Sequence, residues 1–448
     1  MRKSFLSSTF ILLLALSACS LAPTYQRPQM AVPEGWSGVP GVGLSLQKNT
    51  SLFWEELGSE DLNRVMKVAL AQNLDLKAAL HRIEQARAQA KVSGAPLYPS
   101  VEVGGRTSRS YQDPVNVNAA RGLGTLNYEI DLWGKNRNQL AAATYRADST
   151  QFDREALRLV VASDTATLYT QTLALNERIR IAENNLKNAE EILRIIEARY
   201  RAGSVSGLEV SQQRVAVNGF RATLAALNEQ RTTNLNALAI LLGRAPQTME
   251  PPQATLASLK MPETSLTPPA SLLTVRPDIQ SAEAGLRAAN ADIGSARAAF
   301  FPSLTLGTDA SFAAGFGNPA AAAVSLASNL LAPIFSGGRL TGNLEGVTAR
   351  QQELAAHYQK TVLTAFQEVE DALAALKSNN DQALLSVESV RESQNAYDIA
   401  KARFDAGAID YLTLLETQRS LYQAQDNQIS VQEGQIEAYI QLRKALGS

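Results

Sequence analysis

The two halves of the chain repeat one another, with an offset of about 203 residues. The segment LYPS at 97–100 corresponds to FFPS at 300–303, and RYRAG at 199–203 corresponds to RFDAG at 403–407. The matching segments keep their order, and a proline-rich stretch separates the halves. A repeat of this length predicts two copies of one structural unit that stack beside each other.

Both halves follow the same internal plan. A helix of roughly 22 residues comes first, then two short alternating segments, a very long stretch without proline, and a return helix of about 35 residues. Each long stretch can run about 100 Å as a helix. We expect these leading and long helices at 73–94, 135–202, 278–299 and 339–406. Because glycine suits helix ends, turns are expected at Gly203 and Gly407, and return-helix ends at Gly243 and Gly447.

The long stretches have the residue spacing of coiled coils. From Leu157 to Tyr200 one stripe recurs at alternating steps of four and three, with one stutter, and Tyr397 and Phe404 belong to a seven-residue repeat in the second half. Such stripes predict helix packing rather than a cofactor site. Polar members of the stripe, such as Asp164 and Gln171, favour a thin wall with water on one side.

The alternating segments predict β-strands. The segment LNYEIDL at 126–132 places its apolar residues on one face and its amide and carboxylates on the other, and segments 101–107, 303–312 and 324–334 alternate less cleanly. This pattern fits a strand between a core and water, and equally a strand of a membrane barrel. Four strands cannot close a membrane barrel, and open edges are excluded from lipid, so a barrel would have to be shared between chains.

The first residues have the pattern of an export signal. Arg2 and Lys3 precede a short apolar run at 10–16, which is too short to span a bilayer. The following LSAC at 16–19 resembles the bacterial lipobox, which predicts cleavage before Cys19 and acylation of that cysteine. Ser20 at the next position favours sorting to the outer membrane. The alternative is an ordinary signal peptide with a chance cysteine.

Composition excludes several classes of function. The 448 residues carry 42 basic and 43 acidic side chains, so there is no basic surplus for nucleic acid. A single cysteine excludes an intrachain disulfide and a cysteine-rich metal site, and His81 and His357 form no HExxH motif. We interpret both histidines as helix-surface residues. Transport, binding and scaffolding remain, with no metal, no cofactor beyond the lipid on Cys19, and no enzymatic activity.

Several motifs resemble those of one protein family. They are YEIDLWGK at 128–135, RPDI at 276–279, FPS at 301–303, and AGAIDYL at 406–412 followed by QR at 418–419. With the duplication and the lipobox, they make the chain similar to the TolC-like outer-membrane efflux proteins, specifically the OprM/NodT-type lipoproteins. The resemblance implies a mainly α-helical homotrimer of the outer membrane. Three chains would share a long α-helical barrel across the periplasm and a twelve-stranded transmembrane β-barrel.

The resemblance also implies partners and a passive function. The trimer would dock on a periplasmic adaptor protein and an inner-membrane pump, and would serve as the exit duct for small molecules such as drugs. A TolC-type channel for protein secretion and a structural coiled-coil lipoprotein of the envelope are the alternatives. The corresponding domains are a signal peptide at 1–18, a lipid-anchored leader at 19–60, a first repeat at 61–245, a linker at 246–276 and a second repeat at 277–448.

The resemblance places candidate functional residues at the hairpin turns. Glu416, together with Asp410, is the candidate acidic pore constriction, and Thr413 stands about one helical turn before Glu416, where TolC has a second acid. The alternative is an exposed acid at a helix start that interacts with the helix dipole. TolC closes its entrance with a tyrosine and an arginine, where this chain has Phe404 and Ile409. The candidate adaptor contacts, which are also ordinary turn residues, are Gly203, Ser204, Val205, Gly407, Ala408 and Ile409.

Overall fold

A computed structural model describes residues 20–37, 52–112, 115–262, 266–315 and 318–448. The predicted signal peptide and Cys19 lie outside the described residues. By contacts the chain divides into two compact units. The first unit combines the ranges Met1–Met30, Ala79–Asp153 and Asp278–Thr361, and the second combines Ala31–Ala78, Arg154–Pro277 and Val362–Ser448. Each unit therefore draws on both halves of the sequence.

The helices and strands follow the predicted order. In chain order they are α1 Phe53–Glu56, α2 Glu60–Gln72, α3 Leu74–Gly94, β1 Ser100–Gln112, β2 Val115–Ile130, α4 Lys135–Arg201, α5 Gly207–Leu241, α6 Leu272–Val275, α7 Pro277–Ala298, β3 Ser303–Gly315, β4 Asn318–Leu331, α8 Arg339–Asp405 and α9 Tyr411–Ala445. The long helices α4 and α8 each contain 67 residues and the return helices α5 and α9 each contain 35, which confirms both predicted classes.

Capping residues account for the differences at helix starts. Asn73, predicted inside a helix, instead precedes α3, and its side-chain oxygen accepts a hydrogen bond from the backbone N–H of Leu76 at 3.0 Å. Asp131, predicted in a strand, accepts hydrogen bonds from the backbone N–H groups of Asn136 and Arg137 at 3.1 and 2.9 Å. The carboxylate satisfies N–H groups in the first turn of α4 that have no partner within the helix. Strand β2 therefore ends at Ile130 rather than at the predicted residue 132.

The four strands form one antiparallel sheet in the order β1-β2-β3-β4. They contain 13, 16, 13 and 14 residues. Most strand ends extend beyond the predicted segments. Strand β4 is an exception, because it ends before the predicted residue 334. Glycines at 104, 105, 122 and 124 interrupt the alternation, which explains why the pattern understated β1 and β2. The central pair β2–β3 joins a strand of the first half to a strand of the second.

The register separates the sheet into two chemical faces. The apolar face carries Val101, Leu126 and Leu326 together with Val103, Phe312 and Val324. The polar face carries Glu102, Thr125, Asp309 and Ser325 on one rung and Arg106 and Arg121 on another. Exposed fractions of 70% for Val101 and 84% for Leu326 leave the apolar face uncovered within this chain.

The second unit has an extensive apolar core. It is built around Phe53, Leu62, Met66, Tyr169 and Tyr439, which are all at least 99% buried. Burying one such side chain stabilises a fold by about 1.5–3 kcal/mol. Within the same unit, the predicted stripe of α4 is buried at Val161, Ile179, Ala182, Ala189 and Ile196. Asp164 is exposed within this chain.

Candidate functional site

Both hairpin turns have the glycine geometry that the sequence predicts. Gly203 and Gly407 adopt φ values of 74° and 71°, in the left-handed region that glycine enters without strain. Beyond each glycine the chain bonds back to its long helix, from Ser204 N to Arg199 O at 2.9 Å and from Ala408 N to Arg403 O at 2.8 Å. These bonds close both turns in the same way, as in a Schellman motif.

The candidate adaptor residues divide into exposed and anchoring positions. Gly203, Ser204, Gly407 and Ala408 are exposed. The next residue at each turn is half-buried, Val205 at the first and Ile409 at the second. Both pack against the apolar cluster that contains Ile196, Phe404 and Tyr411. The exposed residues are available to another protein, whereas the half-buried pair holds each turn in place.

The three candidate pore residues lie at the start of α9. Asp410 caps the helix and accepts a hydrogen bond from Thr413 N at 2.8 Å, and the hydrogen bonds from Thr413 lower the pKa of Asp410. Glu416 lies one turn after Thr413 on the same helix. All three side chains are exposed. Asp410 and Thr413 therefore form one local motif, and Glu416 is a separate carboxylate on the same helix.

Four residues join the two hairpins through contacts that the sequence did not predict, and we call them the tip clasp: Arg199, Gln213, Phe404 and Tyr411. The guanidinium of Arg199 lies 4.5 Å from the ring centroid of Phe404 and donates to the carbonyl oxygens of Phe404 and Asp405 at 3.1 and 3.3 Å. Phe404 thus makes a contact between the two hairpins.

The second half of the tip clasp is buried. The Tyr411 hydroxyl donates to Gln213 Oε1, and Gln213 Nε2 donates to the Ala189 carbonyl at 2.7 Å. Burial raises the pKa of Tyr411 to about 12. A signal for Arg199 was available in the repeated motifs RYRAG and RFDAG, but no sequence pattern connects Gln213 with Tyr411, 198 positions away.

A charged cluster lies between α4 and α9 in the second unit. Arg178 contacts Asp426 at 3.2 Å and Glu433 at 3.4 Å, and Gln171 Nε2 donates to Glu437 at 2.8 Å. Burial raises the pKa of Glu433 to about 7, because Arg178 offsets only part of the effect of burial and of the neighbouring carboxylates. The predicted polar stripe residue Gln171 therefore belongs to a half-buried polar layer.

The chain just after Cys19 is held on α7 and α4 of the first unit. Ser20 Oγ donates to Asn138 Oδ1 at 3.2 Å, and Ala22 lies against Gly294, where an added Cβ would come within 2.6 Å of the Ala22 side chain. Asn290 Nδ2 donates to the Pro23 carbonyl at 2.7 Å. Gly294 is therefore a notch that admits the leader, here defined as residues 20–30.

Glu283 of α7 fixes the leader further along. Its carboxylate contacts Arg27 at 2.6 Å and Arg287 at 2.8 Å, and it accepts a hydrogen bond from Tyr25 at 3.3 Å. Burial disfavours the charged form of Glu283, yet the hydrogen bonds from Arg27 and Arg287 outweigh burial and lower its pKa. An ionised Glu283 thus ties the leader to the helix.

Two further kinds of feature are absent from the described residues, a metal site and a membrane-spanning helix. In the part of the chain that the structure describes, no group of three or more His, Cys, Asp or Glu side chains is arranged to hold a metal ion. Among the helices described here, none combines the length and the apolar character that a membrane crossing needs.

Known proteins resemble this chain over almost its full length. The pyoverdine export outer membrane protein OpmQ of Pseudomonas aeruginosa is 37% identical, over 97% of this chain and 94% of the relative. The solvent efflux pump outer membrane protein SrpC of Pseudomonas putida is 33% identical, over 99% and 98%. A solved structure of CusC superposes with a TM-score of 0.85 at 29% identity, over 96% of this chain and all of the other.

A family profile matches both halves of the sequence. The profile of the outer membrane efflux protein family matches residues 65–244 and again residues 269–448. The two matches reproduce the internal duplication, and they include both hairpins and all four strands. The chain therefore belongs to the outer membrane efflux protein family.

Proposed function

We propose that three copies of this chain form one passive exit duct, which carries small organic molecules from an inner-membrane pump across the outer membrane. The chain is a TolC-like outer membrane efflux channel by family and fold. The number of copies, the cargo and the contacts with pump and adaptor are the proposed elements. No reacting group is required, because the duct supplies a path and the pump supplies the energy.

One observation carries the proposal: the sheet has two open edges and two chemically different faces. Within the described residues β1 pairs only with β2, and β4 pairs only with β3. Unpaired backbone groups are not tolerated in lipid, so the edges must meet those of other copies. Three sheets of four strands supply twelve, an even number in the range of known barrels. The apolar face then meets lipid and the polar face lines the lumen.

The likeness to characterised exporters supports small-molecule cargo. OpmQ is named for pyoverdine export and SrpC for solvent efflux, and both match this chain over more than 90% of its length. Their named cargoes differ in polarity, so the duct itself is expected to accept several kinds of solute. We assign the main choice of cargo to the pump.

The hairpin tips are the proposed contact with a periplasmic adaptor. Gly203, Ser204, Gly407 and Ala408 are exposed and lie at turns that end rigid helices. Glu416 and Asp410 are exposed on the same short stretch, where three copies would place six carboxylates within about 10 Å along the helix axis. We assign the acidic constriction of the pore to Glu416 and Asp410, with Thr413 between them on the chain.

The lipid anchor is the remaining proposed element. Cys19 would carry the acyl chains immediately before the leader, whose contacts with Asn138, Gly294 and Glu283 fix the following residues. Acyl chains contribute about 0.8 kcal/mol per buried CH₂, which is enough for stable anchoring when several are attached. Cys19→Ser is expected to leave the protein without lipid label from radioactive palmitate, while wild type is labelled.

Purified protein and cells test the proposed function together. Unheated protein is expected to migrate as a trimer in SDS gels and to elute as a trimer in detergent. Cells that lack the chain are expected to retain a fluorescent efflux dye and to release it when the gene is returned. A monomer, or dye release that does not depend on the chain, would contradict the proposal. Loss of a secreted protein with unchanged dye release would favour protein secretion instead.

A further inference from the structure

Two arginines stand directly opposite each other on the polar face of the sheet. The register pairs Arg106 of β1 with Arg121 of β2, and the same rung continues through Ala313 of β3 and Ala321 of β4. Both arginine side chains are exposed. In the part of the chain that the structure describes, neither guanidinium makes an ion pair with a carboxylate.

This pairing is unfavourable for the sheet by itself. Like charges at directly opposed positions destabilise an antiparallel pair, because their Cβ atoms lie only about 5 Å apart. The polar face does carry carboxylates, Glu102 and Asp309, but they share a rung four residues along β1. At about 3.3 Å per residue that rung lies about 13 Å from the arginines along the strand. The repulsion is therefore not offset by these acids through ion pairs.

The chemistry of the pair fits an organic anion. A guanidinium group presents a planar set of N–H donors that matches a carboxylate, and it keeps its charge at all physiological pH values. The small side chains of Ala313 and Ala321 leave the rest of the rung open, so both arginines can reach into the space above the sheet. One carboxylate between the two guanidinium groups would replace their repulsion with two attractive contacts.

We infer that Arg106 and Arg121 form an anion-binding rung inside the channel, which favours the passage of solutes that carry carboxylate groups. The inference rests on the proposed function, because only in a shared barrel does the polar face line a lumen. Three copies then bring six guanidinium groups to one level of the pore. The rung gives the duct its own preference among the solutes that the pump delivers.

Ion selectivity in planar lipid bilayers tests the rung. With a tenfold potassium chloride gradient, the double substitution Arg106→Gln and Arg121→Gln is expected to lower the chloride-to-potassium permeability ratio at least about twofold. Arg109→Gln is the matched control, since Arg109 lies on β1 but on the opposite, apolar face. It is expected to leave the ratio unchanged. Each variant is used only if it migrates as a trimer without heating, which shows that the barrel is formed.

Block by citrate tests binding directly. Citrate is expected to reduce the wild-type conductance, and the double variant is expected to need about tenfold more citrate for the same reduction. Variants that conduct with wild-type permeability ratio and wild-type citrate sensitivity would overturn the rung and leave the channel intact. A folded wild-type trimer that does not conduct at all would overturn the proposed function itself, and the rung with it.

Discussion

At the scale of single residues, the structure assigns roles that depend on partners far away in the sequence. The turn at Gly203 and the helix start at Asp410 were predictable, because turns and helix caps depend on neighbouring residues in the sequence. The partners of Glu283 were not, since Arg27 lies 256 positions earlier. Likewise, the opposition of Arg106 and Arg121 follows only from the strand register, which composition does not encode.

The tip clasp yields the first prediction. Arg199→Ala removes two hydrogen bonds to carbonyl groups and the contact with Phe404, so the end of α8 is expected to lose about 1–3 kcal/mol of local stability. Hydrogen exchange of backbone amides at 403–409 is expected to become correspondingly faster. Arg201→Ala is the control, because the described contact of Arg201 is to Glu197 within its own helix. Equal exchange rates in the two variants would contradict a stabilising clasp.

The ionised Glu283 yields a prediction about pH. Its pKa is lowered in the folded protein, so its contribution to stability is present above the unfolded-state pKa of about 4.3 and is lost as the pH falls through the lower folded value. Glu283→Gln is expected to destabilise the first unit by about 1–2 kcal/mol at pH 7, since both arginines are partly exposed. The difference from wild type should shrink as the pH is lowered below about 4.

Thermal unfolding in detergent at pH 7 and pH 3.5 measures this effect. Asp292→Asn provides a control in the same helix, because Asp292 pairs with Arg146 at a more exposed position. Its effect at pH 7 should be no more than about 1 kcal/mol. A Glu283→Gln variant whose destabilisation is the same at both pH values would show that the charge of Glu283 is not what holds the leader.

At the scale of elements, helices were predicted closely and strands less well. Proline-free runs gave α4 and α8 to within one residue at their ends, because helix signals are local and regular. Strands β1 and β2 extend beyond the predicted segments, since their glycines hide the alternation while the ladder continues. The predicted strand end at residue 132 was wrong because of Asp131. Its carboxylate continues the alternation of polar and apolar residues, but it caps the start of α4.

The glycine notch of α7 gives a prediction for an element. Gly294→Ala would place a Cβ within 2.6 Å of Ala22, so the leader is expected to leave its site. Chymotrypsin cleavage after Tyr25 should then become at least about tenfold faster. Gly285→Ala in the same helix meets no atom within 4 Å and is expected to stabilise the helix by up to about 1 kcal/mol without changing cleavage. Similar cleavage of the two variants would contradict a notch for the leader.

At the scale of the whole molecule, the internal duplication of the sequence predicted more of the structure than any other feature. It anticipated two hairpins of matching length and two pairs of strands, and the family profile matches each half. It did not anticipate that each compact unit combines segments of both halves. The physical reason is that β2 and β3 pair with each other, so the sheet cannot be divided at the repeat boundary.

The acidic constriction is a prediction that only the assembled molecule can test. Glu416→Ala removes three carboxylates from the proposed ring, and the potassium-to-chloride permeability ratio is expected to fall at least about twofold. Ser420→Ala changes an exposed neutral residue one turn further along α9 and should leave the ratio as in wild type. Recordings from single channels in planar bilayers supply both values. An unchanged ratio in Glu416→Ala would remove Glu416 from the constriction.

Single-channel recording of the purified trimer tests the central claim most directly. Wild type and Arg199→Ala, which lacks part of the tip clasp, would each be added to a planar bilayer after their unheated trimers are verified in SDS gels. We predict discrete conductance steps of uniform size for each protein. Verified trimers of both proteins that leave the bilayer without conductance would contradict the account of this chain as an exit duct.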